Sequence, residues 1–287
     1  MTYKVVHVLQ RVATELGATV GVASGGSATS IVDTLGLAEY PDDYFNGGYA
    51  IIIRDAGGAG AAPEGEYGRV TNFDKATKTA TIETLSAAVA AADRYLLATA
   101  AYDMLNVMAR LNLVLDTLPI KTVDLTTITT ADGQTEYTLP AGLLDDSEVD
   151  VWIQGQDVAS DNQWKRWHDW YIQGTGTHVQ KKLVFVTQPP APFDLKLEYL
   201  IPHPQVYSPF DYIDEQINID RLTQEVVLSC LYWRLNQSEN TDPELARRIA
   251  TVENRVERAR SKHPSTRTDD VKLASMGDTD YVIADTV

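Results

Sequence analysis

Side chains able to do chemistry are few and scattered in this sequence. His168 and Asp169 are adjacent in a run of strand character. Neighbouring residues of a strand face opposite ways, so they make no His–carboxylate pair there. His7, His178, His203 and His263 show neither HExxH nor another metal-ligand spacing. Cys230, the single cysteine, sits in an apolar helical stretch without a partner base, where a thiol behaves as a small hydrophobe. One thiol also permits no intrachain disulfide and no Cys-cluster zinc site. Gly25-Gly26 and Gly57-Gly58-Ala59-Gly60 lack the Lys-Ser/Thr pair of a P-loop and the GxGxxG opening of a helix, and read as loop tips. No catalytic group, cofactor or metal is expected, and the chain reads as a protein that is not an enzyme.

Two local compositions stand out instead. Trp164, Trp167, Trp170 and Tyr171, with Trp152, concentrate rings in a chain that is 8% aromatic. Such rings stack on sugars, or they fill a core or a subunit contact. Packing is the preferred reading, because alternation along one strand sends Trp167 and Trp170 to opposite faces rather than to one platform. The run Glu244 to His263 carries Arg247, Arg248, Arg255, Arg258, Arg260 and Lys262 against Glu244, Glu253 and Glu257, a net +3 in a chain of net −16. Either it is a solvated face supported by Glu244–Arg248 and Glu257–Arg260 pairs, or it docks on an acidic partner or borders a DNA-carrying channel.

These features need elements to hold them. The 287 residues, 44% hydrophobic and 22% charged, suit a folded chain of about two domains. The acidic balance excludes whole-surface attraction to nucleic acid or anionic lipid. No run of about 18 apolar residues is present, so a soluble protein made in the cytoplasm, kept there or released by lysis, is expected. Val5, Leu9, Val12 and Leu16 predict an N-terminal helix over 1–17, ended by Gly17. Punctuated β-prone runs at 49–54, 68–72 and 79–83 predict a small β-domain over 18–100, with a hairpin around Asp74. The stretch 23–28 reads as a flexible loop. Leu105, Met108, Leu111 and Leu115 predict a connecting helix over 101–119.

Alternation then predicts an antiparallel β-sandwich over 120–206, with strands at 121–129, 135–139, 148–154, 167–173, 182–187 and 194–201. A C-terminal helical pair is expected over 207–264, as helices from Asp214 to about Asn236 and from Asp242 to about His263. The first is apolar on nearly every side between Leu222 and Leu235 and must be enclosed. Leu228, Leu231 and Trp233 therefore join Arg247, Arg248, Arg255, Arg258 and Arg260 as candidate partner-binding residues. The second shows one stripe, Leu245, Ile249, Val252, Val256 and Ala259, spaced like a helix-pair seam. The polar residues 265–287 read as an extended tail. The fold class is α+β, with β-rich domains combined with helices.

Asp132-Gly133-Gln134-Thr135-Glu136-Tyr137-Thr138-Leu139-Pro140 resembles a turn-and-strand opening found in tailed-bacteriophage virion proteins. The closing helices are similar in kind to those of head-to-tail connector (adaptor) proteins of the neck. The likeness covers roughly residues 101–264. It implies a structural virion protein whose copies form a homo-oligomeric ring beneath the portal. That ring would contact portal and tail or neck proteins and pass double-stranded DNA through its lumen without binding it specifically. It implies no active site and no membrane. The competing expectation is a carbohydrate-binding or baseplate-type module using the rings from Trp164 to Tyr171.

Overall fold

The computed structural model describes residues 3–58, 60–125, 128–140, 143, 149–154, 164–174, 181–237 and 242–262. Its first elements are β1 (Tyr3–Lys4), α1 (Val5–Glu15), β2 (Thr19–Val22), β3 (Gly25–Ser27), β4 (Ser30–Val32), β5 (Tyr49–Arg54), β6 (Tyr67–Asp74), β7 (Thr79–Ile82) and β8 (Arg94–Ala98). Next come α2 (Met104–Asp116), β9 (Ile120–Asp124), β10 (Glu136–Thr138), β11 (Asp150–Gln154), β12 (Trp164–Trp167), β13 (Trp170–Gln173), β14 (Lys182–Phe185) and β15 (Leu195–Ile201). β16 (Tyr212–Ile213), α3 (Ile219–Gln237) and α4 (Pro243–Lys262) follow. The fold is α+β and β-rich. The expected tail over 265–287 lies outside the described residues.

The chain divides into two compact units, Met1–Thr117 with Pro204–Val287, and Leu118–His203. In the first, one antiparallel sheet runs in the order β2-β8-β5-β6-β7-β4-β3. Its two ends are consecutive pieces of residues 19–27, so the sheet curls back on itself into a barrel. The barrel encloses Ile31, Phe45, Ile52, Phe73, Tyr95 and Leu97. The expected loop over 23–28 is thus partly strand: β3 pairs with β4, and a Cβ on Gly26 would stand 2.3 Å from the Ser30 carbonyl oxygen. Only glycine allows that approach. The hairpin of β6 and β7 forms as expected, its turn tied by Asp74, which accepts from the Ala76 N–H and the Thr77 hydroxyl. Inside the barrel, Tyr95 donates to Asp33 at 2.7 Å; burial first, then this bond, push its phenol far above the usual range.

The helices of this unit depart from expectation in three places. Tyr3 and Lys4 do not open α1 but pair with β16. The helix expected from Asp214 begins at Ile219, where the Asn218 side chain accepts the Arg221 N–H at 2.8 Å and caps the first turn. On α2 the buried line is Met104, Val107, Leu111 and Val114 with Leu115, whereas Leu105 is 67% exposed and Met108 half-buried. Two apolar stripes one residue apart compete on that helix, and packing against α3 selects one.

The second unit is a sandwich of two antiparallel sheets, β10-β14-β13 and β12-β11-β15-β9. Val149, Val151 and Ile153 face Leu183 and Phe185 across the core, as do Leu195, Leu197 and Tyr199. The run expected as one strand over 167–173 is two. β12 ends at Trp167, the chain crosses at His168 and Asp169, and β13 begins at Trp170 in the other sheet.

Candidate protein-binding surface

α3 is apolar all round because the chain itself surrounds it. It packs against α1, α2 and α4, and Leu222, Val226, Val227, Leu228, Cys230 and Leu231 are all buried. Leu228 and Leu231 are therefore corrected from partner-binding to core residues: the cover they need comes from this unit's own helices. Trp233 is half-buried. Burial pushes the Cys230 thiol up to about 12, with Arg110 pulling weakly the other way. A thiol held protonated in this way is a core residue, not a nucleophile.

α4 lies on α3 through the expected stripe, with Leu245, Ile249, Val252 and Val256 buried and Ala259 half-buried. Polar bonds fix the pair. Glu225 of α3, 1% exposed, accepts from Arg221 Nε at 2.9 Å and from Arg260 Nε at 3.1 Å. Tyr232 donates to Glu253 in a close hydrogen bond; burial first, then this bond, push its phenol up to about 12.

The arginines divide accordingly. Arg255 Nη1 meets Glu15 Oε2 of α1 at 2.9 Å, and Arg248 Nη2 donates to the Glu15 carbonyl oxygen at 2.9 Å. That carbonyl is at the C-terminal end of α1, where a cation also complements the helix dipole. The expected Glu244–Arg248 pair is replaced by Glu244–Arg247, a two-bond contact at 2.8 and 3.1 Å that holds the Glu244 carboxyl below its usual range. Arg260 also lies 3.8 Å from Glu257. Arg258 is exposed and makes no ion pair among the described residues. Arg248, Arg255 and Arg260 thus serve the fold, while Arg247 and Arg258 stay on the outward side.

The tryptophans do not follow simple alternation either. Because the chain changes sheets at His168 and Asp169, Trp167 and Trp170 both turn onto the sandwich core, and Trp170 Nε1 donates to the Trp167 carbonyl at 2.8 Å. His168 and Asp169 are exposed, and the Asp169 carboxylate accepts from Thr187. Trp152 and Trp164 share the outer face of the four-stranded sheet instead. Lys196 Nζ stands 4.5 Å from the Trp152 ring centre and 5.9 Å from that of Trp164, and bonds Glu198 at 2.9 Å. Lys121, then Lys196, hold the Glu198 carboxyl below its usual range.

A polar groove of about 500 Å³ runs between α1 and α3, lined by His7, Gln10, Arg11, Thr14, Glu15, Asp220, Thr223 and Gln224. Asp220 is engaged by Arg11 at 2.5 Å and Glu15 by Arg255, so its two carboxylates are committed to holding helices together. Among the described residues no group of three or more His, Cys, Asp or Glu side chains is placed to hold a metal ion, and no helix is long and apolar enough to cross a membrane. The buried Arg221–Glu225–Arg260 bridge lies outside what the sequence pattern predicts. Glu225 is marked only as a carboxylate within the apolar stretch Leu222 to Leu235, and nothing in the sequence marks Arg260 as its partner. No family profile matches the sequence, and no curated protein matches it.

Proposed function

We propose that this chain is a structural virion protein of the head-to-tail adaptor type, whose copies form a ring beneath the portal and join capsid to tail around a DNA channel. One observation supports the reading: a unit of one barrel and four helices is interrupted between α2 and α3 by a β-sandwich that contains the Asp132 to Pro140 turn and strand. That opening is built as a stiff element. Gly133 takes φ 75° in the turn, and the Tyr137 hydroxyl accepts the Ala131 N–H at 2.9 Å and donates to the Gln134 carbonyl at 3.1 Å. In this reading the chain works through surfaces rather than a reaction, its place is the virion, and its partners are the portal and a tail or neck protein. A net charge of −16 suits a wall that DNA passes without sticking. The test is incubation of purified protein with portal-bearing capsids, followed by negative-stain imaging. Rings seated at the portal vertex are expected; protein that neither forms rings nor attaches to capsids overturns the reading.

The carbohydrate-binding reading keeps one observation in its favour. Trp152 and Trp164 lie on one outer face, and Trp152 Nε1 has no hydrogen-bond partner among the described residues. Against it, Lys196 Nζ already stands over the Trp152 ring, a face on which a sugar would stack. Binding on a glycan array that disappears in Trp152→Ala would reverse the ranking.

A further inference from the structure

The outward side of α4 carries a line whose bonds stay within the helix, Arg247 pairing with Glu244 and none of its residues bonding another element among the described residues. Arg247, Thr251, Asn254 and Arg258 step by four, three and four, opposite the buried Leu245, Ile249, Val252 and Val256, and Lys262 continues beside them. Arg247 and Arg258 are separated by about 16 Å along the helix. The bonds that α4 sends to other elements leave from its flanks, through Arg248 and Arg255 toward α1 and through Glu253 and Arg260 toward α3.

One end of the barrel, built by residues 33–46 and 74–78, is acidic on balance, with Glu39, Asp42, Asp43 and Asp74 against Lys75 and Lys78. Asp42 accepts the Lys75 N–H at 2.7 Å, and the Asp43 N–H donates to the Phe73 carbonyl at 3.0 Å. These bonds gather Asp42, Asp43 and Asp74 at one place, with Glu39 close in sequence. Tyr44 lies among them, 44% exposed, its ring 4.9 Å from both Tyr40 and Phe45, and Leu35 nearby in sequence is 86% exposed. A ring stiffened from behind and flanked by carboxylates is the kind of surface that anchors a protein contact.

We propose that this acidic, aromatic end of the barrel in one copy docks on the outward basic face of α4 in a second copy. Carboxylates of Glu39, Asp42 and Asp43 meet Arg247, Arg258 and Lys262, and Tyr44 packs against the helix between them. Guanidinium groups suit both parts of that surface, since they bond carboxylates in a plane and stack on aromatic rings. The two patches are different regions of one chain, so the contact is head-to-tail and repeats into a ring when the rotation closes. This inference rests on the ring reading above and names the surfaces that build the ring.

The test uses the full chain in two charge-reversed forms, Arg258→Glu with Lys262→Glu, and Glu39→Lys with Asp42→Lys. All four side chains are exposed, and unchanged far-UV circular dichroism and melting temperature check the fold of each form. Sedimentation at low salt should show closed oligomers for the wild type, dissociating as salt rises, and association at least about tenfold weaker for each variant alone. An equal mixture of the two variants should associate again, because each reversed patch meets its reversed complement while like pairs repel. A wild type that stays monomeric, a variant that associates normally by itself, or a mixture that fails to recover overturns the proposal. Rings that survive in both variants overturn this contact and leave the adaptor reading standing. Failure of the wild type to bind portal-bearing capsids removes the adaptor reading itself.

Discussion

Glu225 holds two guanidinium groups at a position 1% exposed, and losing it removes the carboxylate that joins Arg221 to Arg260 in the seam between α3 and α4. Glu225→Ala should lower unfolding stability by about 3 kcal/mol in urea titrations, the low end for a broken buried pair because both arginines keep some access to water. Glu225→Gln, which keeps an acceptor, should lose less. Cys230 gives a pH prediction. Its folded pKa is raised from the usual 9.0 to about 12, so its contribution to stability is complete below pH 9 and is lost as pH rises toward 12. Stability should fall over that alkaline window, less steeply in Cys230→Ala, and Ellman's reagent should label the wild-type thiol only at the rate of unfolding. The inert thiol was legible in the sequence because an apolar helix surrounds it. The Glu225 bridge was not, because Arg260 reaches it only once α4 lies beside α3.

Among the elements, periodicity located the regular ones and failed where two patterns compete. β11 and β15 alternate cleanly, and Val149, Val151, Leu195 and Leu197 face inward as that alternation requires. No glycine or proline marks the crossing at His168 and Asp169, so the pattern predicts one strand where two sheets receive the chain. The consequence is measurable. Trp167→Ala and Trp170→Ala should each cost about 2–3 kcal/mol, below the range for a fully buried ring because both are half-buried. Trp152→Ala and Trp164→Ala, on the outer face, should lower the melting temperature less. The stripe on α2 makes a second test. Leu105→Glu should leave melting within about 0.5 kcal/mol of wild type, whereas Leu111→Ala should cost about 2–5 kcal/mol.

For the molecule as a whole, the decisive feature is how the sandwich is spliced in. Ile120 at the start of β9 pairs with Ile201 at the end of β15, so the chain enters and leaves this unit from neighbouring positions about 5 Å apart. Replacing residues 118–203 by a short Gly-Ser linker should therefore leave the barrel and four helices folded, with one cooperative melting transition; loss of the helical circular dichroism signal would show that the sandwich is needed to fold the rest. The same pairing has a mechanical side. Force that draws Ile120 and Ile201 apart loads the β9–β15 ladder from one end and breaks its hydrogen bonds one after another, as in a zipper. A pull applied along the strands would have to break them all at once. Stretched by Ile120 and Ile201 in a force experiment, the sandwich should open from its root at low force, whereas force applied in opposite senses along β9 and β15 should meet far greater resistance.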